Sequence, residues 1–156
     1  MKINLGGGEE AEKGFINVDL LPDADVKHDL NKLPYPFKDN SVDFIECRMV
    51  FDHLDLPLID FIKEIRRILK PNGGIHFVAG NYFHWIKRLQ FLFGSFELNS
   101  DFCVAHKRLL NYLYVVRLFK DHGFQVKSKE SLLKQIVPSL LCQQIDIYCK
   151  KFYWFE

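Results

Sequence analysis

A strand that runs straight into three glycines constrains this chain more than any other feature. Lys2-Ile3-Asn4-Leu5 reads as a short buried strand, and Gly6, Gly7 and Gly8 follow at once. A turn without Cβ atoms lets backbone N–H groups come close to whatever rests on it. A second apolar strand, Phe15-Ile16-Asn17-Val18, ends on Asp19. Only residues 9–17 separate Gly8 from Val18, and part of that stretch is strand, so one short helical turn at most fits between them. The link to the next strand is shorter still. One face of the resulting sheet is therefore expected to lack helical cover early in the chain. A loop or a second copy of the chain must bury it.

The same residues suggest a ligand. A carboxylate at the tip of a strand beside a glycine turn is well placed to accept hydrogen bonds from two ribose hydroxyls. A dinucleotide fits poorly, because its fingerprint is G-x-G-x-x-G opening a helix. Glu9, Glu10 and Glu12 also crowd the place of a pyrophosphate and would repel it. A nucleoside-containing cofactor without phosphates fits better. The competing reading of the glycines is a plain hairpin turn.

Further along, strands and helices alternate. Ala24–His28 reads as a third strand closing on Asp29-Leu30, and residues 34–41 as a surface loop. Val42–Cys47 is a strand. Asp55 and Pro57 signal a helix start, and Leu58, Phe61, Ile62, Ile65 and Leu69 fall on one helical face. Pro71-Asn72-Gly73-Gly74 is read as a stop and turn before a strand over Ile75–Ala79. Leu109–Phe119 is helical in pattern, Gly123 stops it, and Phe124–Lys127 and Ile145–Cys149 are the last strands. The order predicts a single α/β domain over residues 1–156 with a mostly parallel sheet.

Composition excludes several classes. At 156 residues with 48% apolar content the chain can build one real core. No apolar run reaches the ~20 residues of a membrane span. A net charge of +1 gives no support for nucleic-acid binding. The halves differ: residues 1–78 hold 10 basic and 14 acidic side chains, residues 79–156 hold 11 and 6. Cys47, Cys103, Cys142 and Cys149 are scattered, as reduced thiols of a cytoplasmic protein would be. No set of His, Cys and carboxylates has metal-ligand spacing, so no metal is expected.

Several segments, in this order, resemble the class I S-adenosylmethionine-dependent methyltransferases, and among them the small "type 11"-like group. They are Asn4-Leu5-Gly6-Gly7-Gly8, Asn17-Val18-Asp19, His28-Asp29-Leu30, the run Leu33–Asp43, Met49–Leu54, Arg66–Gly74, and His106-Lys107 leading to Gly123-Phe124. The likeness covers nearly the whole chain. The arginine-leucine-lysine-proline-glycine run after an amphipathic helix is its most specific part. The resemblance implies a Rossmann-like sheet with an antiparallel last strand, and S-adenosyl-L-methionine as cofactor. It implies that Gly6, Gly7 and Gly8 pass the amino-acid part of the cofactor and that Asp19 holds the ribose. Asp29 would face the adenine amino group with the Leu30 backbone beside the ring. Cys47 and Arg48 would border the methionine end. Asp52 and Met49 depart from the family pattern, where glutamate and histidine are commoner.

Methyl transfer to oxygen or nitrogen can use a base, and histidine suits neutral pH. His53 and His106 are the candidates; capping or packing would also explain each. Tyr82 and His84 are expected on the acceptor side. Tyr82, Trp85, Ile86, Leu89 and Phe93 could form a helical stripe, which reads either as core or as a lid over the acceptor within residues 80–104. A membrane-surface helix is a third reading. Asp19 itself, at a strand tip, is expected to add little to fold stability. Two functions remain in play: transfer of a methyl group to a small-molecule or glycan- or lipid-linked acceptor, and a non-catalytic binding or assembly module. A homodimer would cover the bare sheet face.

Overall fold

The computed structural model describes residues 1–8, 12–93, 107, 109–128 and 144–152. Seven strands form one sheet: β1 (Lys2–Leu5), β2 (Ile16–Asp19), β3 (Val26–Lys27), β4 (Val42–Arg48), β5 (Leu69–Gly80), β6 (Phe124–Ser128) and β7 (Gln144–Lys151). Their spatial order is β3-β2-β1-β4-β5-β7-β6. β7 is antiparallel to both neighbours and the other pairs are parallel. The chain steps outward from β1 to β3 and then returns to lay β4 beside β1. That reversal is a topological switch point, where such sheets bind ligands at the carboxyl ends of their strands.

Three α-helices are described: α1 (Leu58–Ile68), α2 (Trp85–Leu92) and α3 (Tyr112–Asp121). The 3.6-residue spacing of Leu58, Phe61, Ile62, Ile65 and Ile68 puts all five in the core. They meet Ile45, Cys47, Ile75, Phe77 and Ile147, which alternate along their strands on the same sheet face. Rings fill the centre: Phe51 and Phe61 lie 5.2 Å apart, and Phe77 lies 5.5 Å from Phe119. α3 starts later than the periodicity of Leu109 suggests. The Asn111 side chain accepts the N–H groups of Leu113 and Tyr114, which caps the helix there.

The segment Pro71–Gly74 does not stop and turn the chain. β5 starts at Leu69, directly after α1, and residues 70–73 bulge between the pairs Val42↔Leu69 and Phe44↔Gly74. Asn72 takes a left-handed φ of 62° in that bulge. The last turn of α1 is satisfied from across the sheet, because Lys151 Nζ donates to the carbonyls of Arg66 (2.8 Å) and Leu69 (2.7 Å).

The early connections are as short as expected. No α-helix is described between β1 and β2 or between β2 and β3. The loop before β4 packs on α1 instead of forming a helix. Tyr35 is buried, its N–H donates to Glu64 Oε1 (2.6 Å) and its hydroxyl to the Leu30 carbonyl (3.0 Å). Arg67 holds both Glu64 oxygens and reaches the carbonyls of Tyr35 and Phe37. The opposite sheet face is polar. One register row across it reads Asn17, Asn4, Glu46, His76, Tyr148. His76 binds Glu46 through Nδ1 (2.7 Å) and Asp146 through Nε2 (2.9 Å) and stacks on Tyr148. Burial raises the Glu46 carboxyl above its ordinary range, against the pull of His76. Among the described residues no helix is long and apolar enough to cross a membrane.

Candidate active site

The glycine turn leaves β1 in a shape that needs its glycines. Gly6 has φ of 67°, and a Cβ there would lie 2.6 Å from Val50 Cγ2. A Cβ on Gly7 would lie 2.6 Å from Asn17 Oδ1. The Asn17 side chain instead ties the turn to β2: it accepts from Gly7 N–H (3.2 Å) and donates to the Gly8 carbonyl (3.0 Å). Sequence reasoning missed Asn17; its position opposite Asn4 in the parallel register was the available signal.

Asp19 reaches the same turn. Its Oδ2 accepts Gly8 N–H (3.0 Å), and its Oδ1 accepts Leu20 N–H (2.6 Å) and Leu21 N–H (3.3 Å). The carboxylate is thus built into the local backbone, contrary to the expectation of a strand tip with little structural role. Asp29 follows β3 and accepts Asn31 N–H (3.0 Å), a bond that holds its carboxyl below the usual carboxylate range. Asn31 Oδ1 accepts Asp55 N–H (2.7 Å) and fixes the rim.

These groups enclose a cavity of about 230 Å³ at the carboxyl edge of the sheet. Gly6, Asp19, Asp29, Leu30, Val50 and His53 all line it. A second cavity of about 410 Å³ lies beside it, walled by Gly80, Asn81, Tyr82, His84, Ile86, Lys87 and Gln144. Met49 lines both. It is held in the left-handed region, with φ of 52°, while its N–H donates to the Val78 carbonyl (2.8 Å). A non-glycine residue seldom adopts this conformation, and such residues cluster at functional sites.

Arg48, His53 and Tyr82, which all stand at or after strand ends, do not share one cavity. His53 lines the first cavity, with Nε2 4.0 Å from Asp52 Oδ1. Tyr82 and His84 line the second. Cys47 and Arg48 line neither. Cys47 points into the helix-covered core and is fully buried, which pushes its thiol up. Arg48 falls on the opposite face, its side chain 62% exposed and 3.8 Å from Glu46. Alternation along β4 separates the two, and the residues after the strand, Met49 and Val50, reach the cavity instead. Gly7 and Gly8 support the turn without lining the cavity. His106 lies outside the described residues.

Asp52 is fully buried under the site, and its backbone carbonyl accepts Lys107 N–H (2.8 Å). Tyr82 faces that carboxylate. Burial, and then the Asp52 charge, push its hydroxyl up to about 12. Tyr82 N–H donates to the Leu110 carbonyl (3.3 Å), so Lys107 and Leu110 both return to the site. Tyr82 precedes α2 and does not join its stripe. Trp85, Ile86 and Leu89 are exposed, and no residue of α2 is buried, so that helix is not core. Part of the segment expected as a lid, Tyr82 to Lys87, does wall the second cavity.

Comparison with known proteins agrees with this geometry. The methyltransferase domain family matches residues 10–77. A SAM-dependent methyltransferase from Archaeoglobus fulgidus is structurally similar, with a TM-score of 0.67 at 17% identity over 96% of this chain and 85% of that one. A chain of the complex between the Haloferax volcanii Trm112 methyltransferase activator and a methyltransferase gives 0.62 at 17% identity, covering 97% and 82%. The uncharacterized protein MJ0638 of Methanocaldococcus jannaschii is 30% identical over 125 residues, or 77% of this chain. This chain spans about half of that relative, 49% of its length. Strand order and glycine turn together give this chain the fold of the class I S-adenosylmethionine-dependent methyltransferases, and its residues 10–77 match the methyltransferase domain.

Proposed function

We propose that the chain transfers a methyl group from S-adenosylmethionine to a small-molecule or glycan- or lipid-linked acceptor. One observation carries the reading: Gly6, Asp19 and Asp29, from three different strand ends, meet in one cavity at the switch point. The residues suit the cofactor. The Cβ-free turn admits its amino-acid part, and Asp19 offers its remaining lone pairs to ribose hydroxyls. Asp29 can accept from the adenine amino group, and Leu30 and Leu54 give the ring apolar walls. The cofactor supplies a methyl group already activated on a sulfonium.

The chain's own work is positioning and the exclusion of water. Met49, shared by both cavities, marks where the methyl group would cross. An oxygen or nitrogen acceptor loses a proton on methylation. His53 from the cofactor side and His84 from the acceptor side are the described groups that could take it, and His106 is a third candidate. Tyr82 keeps its proton at neutral pH and offers a hydroxyl to orient the acceptor.

A second reading, a non-catalytic binding or assembly module, is favoured by the polar sheet face that no described helix covers and by the likeness to a chain from a Trm112 complex. Radiolabelled S-adenosylmethionine assayed against a metabolite panel separates the two. Label transfer that falls in Asp19→Ala supports the enzyme. Cofactor binding without transfer to any acceptor supports the module.

A further inference from the structure

Beyond the two cavities already described lies an apolar groove of about 340 Å³, lined by Tyr82, Phe83, Lys87, Arg88, Phe91 and Leu109. It shares Tyr82 and Lys87 with the acceptor cavity, which in turn shares Met49 with the cofactor cavity. The three spaces are thus neighbours. Their chemistry differs. The middle cavity presents Asn81, His84, Lys87 and Gln144, while the outer groove presents Phe83, Phe91 and Leu109. Two cationic residues stand at the junction. Lys87 lines both spaces, and Arg88 is positioned by its Nε donating to the Phe83 carbonyl (2.7 Å).

The groove walls are unusually apolar for exposed surface. Phe91 is 76% exposed and Leu109 is 55% exposed. Burial in the core does not explain these residues, since α2 buries none of its side chains. A contiguous apolar patch rimmed by charge marks a binding surface. Its neighbour, a cavity that adds amide, imidazole and ammonium groups from Asn81, His84, Lys87 and Gln144, selects the occupant.

We infer that the acceptor is an amphiphile, with an anionic head beside Lys87 and Arg88 and an apolar tail along the Phe83–Phe91–Leu109 groove. This inference rests on the methyltransferase reading of the first two cavities. It narrows the acceptor from a small molecule in general to one carrying a hydrocarbon tail and negative charge. The head would enter the 410 Å³ cavity beside Met49, where its nucleophilic oxygen or nitrogen would face the cofactor.

Dodecyl phosphate below its micelle concentration is a suitable probe. The full chain, carrying Trp154→Phe so that Trp85 alone reports, would be titrated with it in the presence of saturating S-adenosylhomocysteine. Calorimetry would check the stoichiometry. Saturable one-to-one binding with a shift in Trp85 emission is expected. Phe91→Ser/Leu109→Ser should weaken it about tenfold or more through lost apolar contact and leave S-adenosylhomocysteine binding unchanged. Inorganic phosphate alone should bind far more weakly. Both substituted residues are exposed, so the variant is expected to fold. Cofactor-analogue binding without saturable dodecyl phosphate binding would overturn the amphiphile and leave the methyltransferase reading standing. So would equal affinity in the double variant. Equal partition of the wild type and that variant onto phosphatidylcholine–phosphatidylglycerol vesicles, with no monomer binding, would assign the patch to a bilayer surface and also overturn it. Failure to bind S-adenosylhomocysteine would bring down both readings.

Discussion

Removing the Asp19 carboxylate should damage two properties at once, and the structure separates them. Asp19→Ala deletes the acceptor of three backbone N–H groups, those of Gly8, Leu20 and Leu21. Each such bond contributes about 0.5–1.5 kcal/mol net. The site is only half-buried, so water can replace part of the loss. We expect a cost of about 1–2 kcal/mol in stability on that scale, read as a fall of about 2–8 °C in Tm for a domain of this size. Affinity for S-adenosylhomocysteine should fall by a further about 1–3 kcal/mol, because two ribose hydroxyls lose a charged acceptor. That is about five- to 150-fold in Kd. Asp19→Asn tests the division: it keeps one carbonyl acceptor for the turn but removes the charge, so stability should recover more than affinity. Differential scanning calorimetry and titration calorimetry on the three proteins read the two effects. Wild-type affinity in a folded Asp19→Ala protein would refute the role of Asp19 as ribose ligand. Unchanged Tm would refute its role in holding the glycine turn.

Gly6→Ala combines a left-handed φ with a Cβ 2.6 Å from Val50, so it should lower stability by about 1–3 kcal/mol and abolish tight cofactor binding; chemical denaturation and calorimetry measure the two. Asp43 is held down to about 2, first by the hydrogen bond from Lys70, so its contribution to stability is full above its unfolded value of 3.8 and lost as pH falls through 2. The Tm gap between wild type and Asp43→Asn should therefore be constant near neutrality and close below pH 4, and a gap that persists at pH 2 would contradict the assignment. If a second copy completes the cover of the early strands, multi-angle light scattering should report twice the mass of one chain. A monomer at tens of micromolar would leave that cover to loops.

The sheet was largely legible in the sequence because alternation and glycine placement are local signals. Ile3 and Leu5 point into one core, and Gly6 must turn the chain in a way no side chain allows. The trimmed connections could be counted from residue numbers alone. What escaped was set by contacts distant in sequence. Pro71–Gly74 looked like a turn, yet pairing with β4 and β7 pulls it into a bulged strand. Lys151 satisfies the end of α1 from 82 residues away, so no local cap signal was needed. At the site, Asp19 and Asp29 could be placed because they follow strands directly. Cys47 and Arg48 could not, since a shift of one residue along β4 decides which face a side chain takes. Tyr82 and His84 line one cavity and His53 another, a division that no local pattern in the sequence announces.

The switch-point cavity is read here as a site for S-adenosylmethionine and not for a dinucleotide. Titration calorimetry of the purified chain with S-adenosylhomocysteine, followed by NAD under the same conditions, tests it most directly. One-site, saturable binding of S-adenosylhomocysteine that Gly6→Ala removes is expected, with no measurable heat from NAD. NAD binding of comparable affinity, or S-adenosylhomocysteine binding untouched by Gly6→Ala, would contradict it.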